Sequence, residues 1–313
     1  MARMDPPESA IYRVSRGIGG MLCALSMLAA AGCSTFSQSQ ASHDQVVQAR
    51  QLTQRAVQAM HRNDWQSATD LLAEAKQSSP YDVQARTHYA EALWQTGQRK
   101  DAIAELVATV KISSDDPLLH TRLGRMYLEE GEPTRAHLAA NRAIDCDPRC
   151  AAAWKLQGDL AQLRRDPAAA KLSYIRAAMY GGTTDPEVQL RLASTYRQAG
   201  QPSQALACIS LIQQTQIGDR MPPQVGIEQA LAYRDQGRHL DAAERLGQLA
   251  ETGDLSADLL LVWAECEVSA GRLARAEYAA NAALRLNPQH GGALHLVSQL
   301  PDFREQAEQA WRR

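Results

Sequence analysis

Small residues return along this chain at a step of 34. Ala68, Ala102, Ala136 and Ala170 are each 34 residues apart, and the column runs on through Ala205, Ala242 and Ala276 at steps of 35, 37 and 34. A second column, Ala56, Ala90, Gly124, Gly158, Ala193, Ala230 and Ala264, keeps pace with it. A third is glycine: Gly97, Gly131, Gly200, Gly237 and Gly271. A fixed period of this size means one supersecondary unit repeated, and a unit this short buries its apolar face only by stacking on its neighbours. The composition suits such an array. Hydrophobic residues make up 45% of the chain but aromatics only 5%, which fits packing by Ala and Leu around no single large core. With 19 Gly and 13 Pro in 313 residues, a many-turned all-β fold is disfavoured.

Each unit reads as two helices joined by a turn. The third-column glycines sit at the turn, where a left-handed backbone ends the first helix without a Cβ penalty. The small residues of the other columns let the two helices approach closely; a large side chain there would overpack the contact at about 1–3 kcal/mol. Pro80, Pro148 and Pro288 close the second helix, since proline cannot continue it. The pattern has departures. Asn63 and Arg165 replace the turn glycine, and Glu267 stands where Tyr127, Tyr196 and Tyr233 pack in other units. Ser114, Gly182, Ile217 and Asp254 stand where proline is expected. Extra residues near 181–185 and 218–222 fall between units as loops. The second loop is a place for the array to kink into 49–217 and 223–290.

The columns resemble the tetratricopeptide repeat (TPR), whose signature is a large residue, Leu-Gly, an aromatic, then Ala, an aromatic and Pro. The third unit carries it as Leu123, Gly124, Tyr127, Ala136, Ala143 and Pro148. The last full unit has Trp263, Ala264, Gly271, Ala276, Ala283 and Pro288, and the fourth has Trp154, Gly158, Ala170, Tyr174 and Ala177. Pentatricopeptide and Sel1-type repeats are the alternatives; the step of 34 and the Gly-turn-Ala spacing favour the tetratricopeptide form. The resemblance implies an all-α, right-handed α-solenoid of about seven helix-turn-helix repeats, at 49–82, 83–116, 117–150, 151–184, 186–219, 223–256 and 257–290. Residues 291–313 then form a partial unit and a capping helix. Pro301 is expected to stop the first of these, and Asp302 to cap a last helix with Phe303, Ala307 and Trp311 at a spacing of four.

The first 32 residues read as an address. Arg13 and Arg16 precede an apolar run, Ile18 to Ala31, too short to span a bilayer comfortably but suited to a signal-peptide core. Ala30-Ala31-Gly32-Cys33 resembles the lipobox of bacterial lipoproteins, which implies cleavage before Cys33 and a lipid on its thiol. An uncleaved anchor or an ordinary signal peptide is the competing reading. Lipid on Cys33 would tether the protein to a membrane through acyl chains. Ser34 rather than Asp after it favours, by resemblance, the outer membrane facing the periplasm. Residues 33–48, the lipidated Cys and a Ser/Gln-rich stretch, read as a flexible tether.

The remaining chemistry is sparse. A formal net charge of -2 argues against a nucleic-acid-binding face. Beyond Cys23 and Cys33 stand Cys146, Cys150, Cys208 and Cys266. Cys146 and Cys150 are either a local disulfide or two unpaired small residues at a helix end, and Cys208 and Cys266 read as core thiols. Asp145, Cys146, Asp147 and Cys150 lack the second ligand pair or nearby His that a metal site needs. No phosphate loop, GxSxG or His-Glu-x-x-His motif is present, so neither enzyme activity, cofactor nor metal is expected.

In the resembling family the first helix of each unit lines a concave groove, with the second, fifth, ninth and twelfth positions exposed. Here these positions supply Trp94, Leu118, Arg125, Leu128, Lys155, Arg197, Leu231, Arg234 and Leu261, the side chains a peptide-binding surface would use. A solvated face with snorkelling Arg stems is the plain alternative. The family's clamp for acidic C-terminal tails needs Lys and Asn where this chain has Thr53 and Val57, Thr87 and Glu91, or Lys155 and Asp159. The expected function is a non-enzymatic, membrane-anchored periplasmic scaffold holding protein partners of envelope assembly. By layout it is of the pilus or secretin assembly type or the cell-wall-enzyme adaptor type. A self-associating homo-oligomer is the alternative.

Overall fold

A computed structural model describes residues 44–182, 185–215, 221–253 and 255–311. Residues 1–43, on which the expected signal peptide, Cys33 and most of the expected tether fall, lie outside them. Among the described residues there are fifteen helices and no strand. They are α1 (44–61), α2 (Trp65–Ser78), α3 (Val83–Gln95), α4 (Arg99–Ile112), α5 (Pro117–Glu129), α6 (Pro133–Cys146), α7 (Ala151–Leu163) and α8 (Pro167–Gly181). There follow α9 (Pro186–Gln198), α10 (Pro202–Thr215), α11 (Pro223–Asp235), α12 (His239–Glu251), α13 (Ala257–Ser269), α14 (Leu273–Leu286) and α15 (Gly291–Trp311). None of the described helices is long and apolar enough to cross a membrane.

Local chemistry sets where these helices begin and end. Pro117, Pro133, Pro167, Pro186 and Pro223 occupy first helical positions, where the missing N–H has no intrahelical partner to lose. The carboxylates of Asp82, Asp116 and Asp185 each accept two backbone N–H groups of the turn that follows, at 2.8–3.4 Å. At the turns, Gly97, Gly131, Gly200, Gly237 and Gly271 have φ between +69° and +82°. The reversal at Gly131 is closed by its N–H donating to the Leu128 carbonyl at 3.1 Å and by the Glu132 N–H donating to that of Tyr127 at 2.8 Å. Asn63 and Arg165 take the same left-handed conformation, at φ 59° and 58°. Around them the backbone N–H groups of Asp64 and Asp166 donate back to the carbonyls of Ala59 and Ala161, each at 3.0 Å. The turn therefore survives without its glycine, at a conformational cost of about 1–2 kcal/mol for Arg165.

The chain divides into two compact units, at Ser114 and Asp115. In the first, α1–α4 pack through Ala56, Ala59, Ala68, Leu72 and Ala92, with Leu52, Ala75 and Ala85 beside them. Glu105, buried on α4, receives Lys76 Nζ at 2.6 Å and Arg86 Nη2 at 2.8 Å, so its carboxylate is paired with two cations within the packing. In the second, α5–α15 pack each against the next. The 218–222 loop does not divide the array as expected. Ile209 and Ile212 of α10 share one apolar cluster with Val225 and Ala232 of α11, which joins the helices on either side of it.

Two further expectations are corrected. Residues 44–48, read as the end of the tether, belong to α1. Ala49 and Leu52 are buried at 0% and 7% and anchor the first turns, and no Gly or Pro precedes them to stop the helix growing outward. Pro301 does not end a helix; α15 runs through it. Leu296 and Leu300 are buried before the proline, and the partly buried Phe303 after it packs against the cluster that holds Leu296, while Pro301 itself is exposed. Apolar burial on both sides holds one helix, and the carbonyl that proline leaves unpaired can be met by water.

Glu267 is 0% exposed where other units carry tyrosine. Its Oε1 accepts the Trp263 indole N–H at 3.1 Å, and Arg272 and Arg275 approach its carboxylate at 3.9 and 3.7 Å. The departure from pattern is thus compensated by an indole donor and two guanidinium groups. No disulfide joins the four cysteines described, so Cys146 and Cys150 are two separate thiols.

Candidate functional site

Helices α5, α7 and α9 lay their exposed faces around a cleft of about 540 Å³ within the second unit. Each wall follows from helical periodicity. Leu118, Arg122, Arg125 and Glu129 fall on one stripe of α5, and Ala152, Lys155, Asp159 and Leu163 on one stripe of α7. Leu156 forms the buried floor, and Glu187 and Arg191 come from α9. Leu118 and Leu163 are 54% and 60% exposed, large apolar side chains open to solvent.

The charges are unevenly paired. Lys155 Nζ donates to Glu187 Oε2 across the cleft. Arg191 Nε lies 3.7 Å from Asp159 Oδ1, which also accepts the Tyr174 hydroxyl at 2.7 Å. Tyr174 is 0% exposed, and its ring packs against Gly158, where a Cβ would come within 2.4 Å of it. Burial, then the hydrogen bond and charge of Asp159, push the phenol well above its ordinary range. Burial acts to raise the Glu187 carboxyl, but the Lys155 hydrogen bond and the charges of Lys155, Arg191 and Arg125 outweigh it and hold it below the usual carboxylate range. Arg122 and Arg125 make no ion pair among the described residues.

The cleft brings together Leu118, Arg125, Leu128 and Lys155 of the expected groove residues. The others lie elsewhere. Trp94, in the first unit, is half-buried with the Arg99 guanidinium 5.1 Å above its ring. Arg197 is engaged: its Nε donates to Glu228 at 2.9 Å and its Nη1 reaches Asp235 at 3.5 Å. Burial opposes its charge, yet Glu228 and Asp235 raise its pKa. Arg234 holds the other oxygen of Asp235 at 2.8 Å. Leu231 is half-buried on α11, and Leu261 fills the space where a Cβ on Gly292 would stand, 2.6 Å away. Arg122, Glu129, Leu163, Glu187 and Arg191 join the cleft beyond the expected positions, and Asp159, considered above only as a clamp position, lines it too. The spacing 118, 122, 125, 129 along one helix was the signal that could have found the α5 members.

An open, mixed apolar and cationic cleft on the first helices of successive helix pairs defines a helical-repeat protein with an interaction groove. Tetratricopeptide-repeat models match residues 59–121, 121–186 and 227–290, more than half of the chain, and the protein belongs to the tetratricopeptide-repeat family. A comparison with curated protein sequences gives no match. Among solved structures, PilF of Pseudomonas aeruginosa superposes with a TM-score of 0.60 at 19% identity, covering 69% of this chain and 97% of that one. PilW, a widely conserved type IV pilus biogenesis factor, gives 0.59 at 19%, covering 67% and 96%. YrrB, a TPR protein with an unusual peptide-binding site, gives 0.53 at 16%, covering 61% and 96%. At these identities the likeness is one of fold.

Proposed function

We propose that this protein is a non-enzymatic scaffold that holds a protein partner in the cleft of α5, α7 and α9. The observation that carries the reading is the exposure of Leu118 and Leu163 beside unpaired Arg122 and Arg125 in one concavity, the chemistry of a peptide anchor site. The family supports it, since tetratricopeptide arrays generally bind proteins or peptides and do not catalyse. The lipobox-like Ala30-Ala31-Gly32-Cys33 adds the place of action: a lipid on Cys33 anchors the array at the envelope, at the outer membrane facing the periplasm. Pilus or secretin assembly, or cell-wall-enzyme adaptation, is the class of role that this layout of anchor, tether and repeats serves. PilF and PilW share the fold.

The test is crosslinking in living cells from a photoreactive residue at Leu128, with Leu138, 65% exposed on α6, as the control. Capture of one envelope protein from Leu128 and not from Leu138 supports the scaffold. Capture from both alike, or from Leu138 alone, overturns the cleft as its site. Metabolic labelling with a fatty acid that is lost in Cys33→Ala supports the anchor, and normal labelling of that variant overturns it.

Self-association is the second reading, favoured by Leu172 and Met179 of α8, 57% and 61% exposed on one helix. Light scattering decides it. A mass that stays monomeric with rising concentration removes it.

A further inference from the structure

The cleft selects the charge of what it binds. Four cations and three anions line it: Arg122, Arg125, Lys155 and Arg191 against Glu129, Asp159 and Glu187. Lys155 and Arg191 are taken up internally by Glu187 and Asp159. That leaves the two arginines of α5 as cations without an ion pair, with the exposed carboxylate of Glu129 on the same helix. Guanidinium groups bind carboxylates through paired parallel hydrogen bonds, and they are worth more beside apolar surface than in open water. Arg125 already acts across the cleft, since its charge contributes to holding the Glu187 carboxyl down on α9. A basic partner would meet unpaired like charge at the same wall, and this discriminates more than it attracts.

The apolar part constrains the partner further. Leu118, Leu128 and Leu163 stand on the same concavity as Arg122 and Arg125. First helices about 10 Å apart make the span from α5 to α9 roughly 20 Å, the length of about six extended residues. An extended chain places alternate side chains on opposite sides, so carboxylates can turn to Arg122 and Arg125 on α5, between Leu118 and Leu128, while the leucine-type residues between them turn to Leu163 on α7.

Resting on the scaffold reading, we infer that the cleft takes an extended segment of a protein partner in which apolar side chains alternate with Asp or Glu, the carboxylates binding Arg122 and Arg125.

Fluorescence polarisation on the full chain in mild detergent tests this, with a labelled Gly-Leu-Asp-Leu-Glu-Leu-Asp-Gly peptide, its Asn/Gln counterpart and its Lys counterpart. The expected result is an acidic probe bound at least tenfold more tightly than the amide probe, and no binding of the lysine probe. Arg122→Glu with Arg125→Glu should weaken the acidic probe at least tenfold and erase the preference. Arg142→Glu, an exposed change on α6, should do neither. Equal binding of acidic and amide probes, lost in Leu128→Asp, overturns the charge inference and leaves the apolar scaffold site standing. An acid preference that survives the double variant, or binding of no probe, overturns the inference too. In that case the crosslink from Leu128 still decides the scaffold reading separately.

Discussion

The hydroxyl of Tyr174 donates to Asp159 across 2.7 Å while its ring lies against the bare backbone of Gly158. A second-helix residue thus fixes a carboxylate of the cleft, and it reaches that carboxylate only because the neighbouring position has no side chain. Gly158→Ala should therefore destabilise the protein by about 1–3 kcal/mol, because the added Cβ displaces a fully buried ring. Tyr174→Phe, which keeps the ring, should cost about 1 kcal/mol. Urea unfolding of both variants checks the order. An equal or larger loss in the phenylalanine variant would contradict it.

The left-handed arginine offers the opposite change. Arg165 at φ 58° carries a strain that glycine would not. Arg165→Gly should raise stability by about 1 kcal/mol, and Asn63→Gly by less, since Asn tolerates this region better. The same substitution on a helix interior would lower it. A fall in the urea midpoint of Arg165→Gly would show that the arginine side chain holds the turn by other means.

Glu267 should be more sensitive than its partners. Glu267→Ala empties a buried site and leaves the Trp263 indole N–H without its acceptor, a loss of about 3 kcal/mol. Arg275→Ala removes a guanidinium whose side chain is 62% exposed, and the loss should stay below about 1 kcal/mol. Thermal or urea unfolding of the pair distinguishes a buried acceptor from a surface charge.

The thiols give a test of burial. Burial pushes Cys208 and Cys266 up to about 11, so at pH 8 both remain protonated and poor nucleophiles. Cys150 is 6% exposed, and Cys146 is the most accessible of the four. In a chain carrying Cys23→Ser and Cys33→Ser, a thiol reagent should label one site rapidly in the folded state and four after unfolding. No rapid site and two on unfolding would mean that Cys146 and Cys150 are bonded.

The repeat was legible because its spacing is imposed by contact. Gly124 and Gly158 stand where a Cβ would meet Leu156 or Tyr174 within 2.6 Å, so in these two units the position has no room for a side chain, and in the others it carries only Ala. Helix starts carry a local signal as well, such as Asp116 before Pro117, where the carboxylate accepts two N–H groups of the first turn. What escaped were features decided by the balance at one place. Pro301 reads as a stop by its missing N–H, but burial of Leu300 before it and packing of Phe303 after it outweigh that. The cleft was half legible. Arg125 and Leu128 stand out by position, whereas Lys155 and Arg197 read alike as free cations. Only the fold shows Glu187 taking the first and Glu228 the second.

Packing in the second unit runs almost wholly between helices that follow one another in the chain, from α5 on α6 to α14 on α15. A molecule wired this way has low contact order, and low contact order gives fast folding. Each pair can settle as soon as its neighbour exists, without waiting for a distant strand or a closing terminus. Loss of the last helices should then fray that end alone, and growth by one further pair would leave the earlier ones as they are.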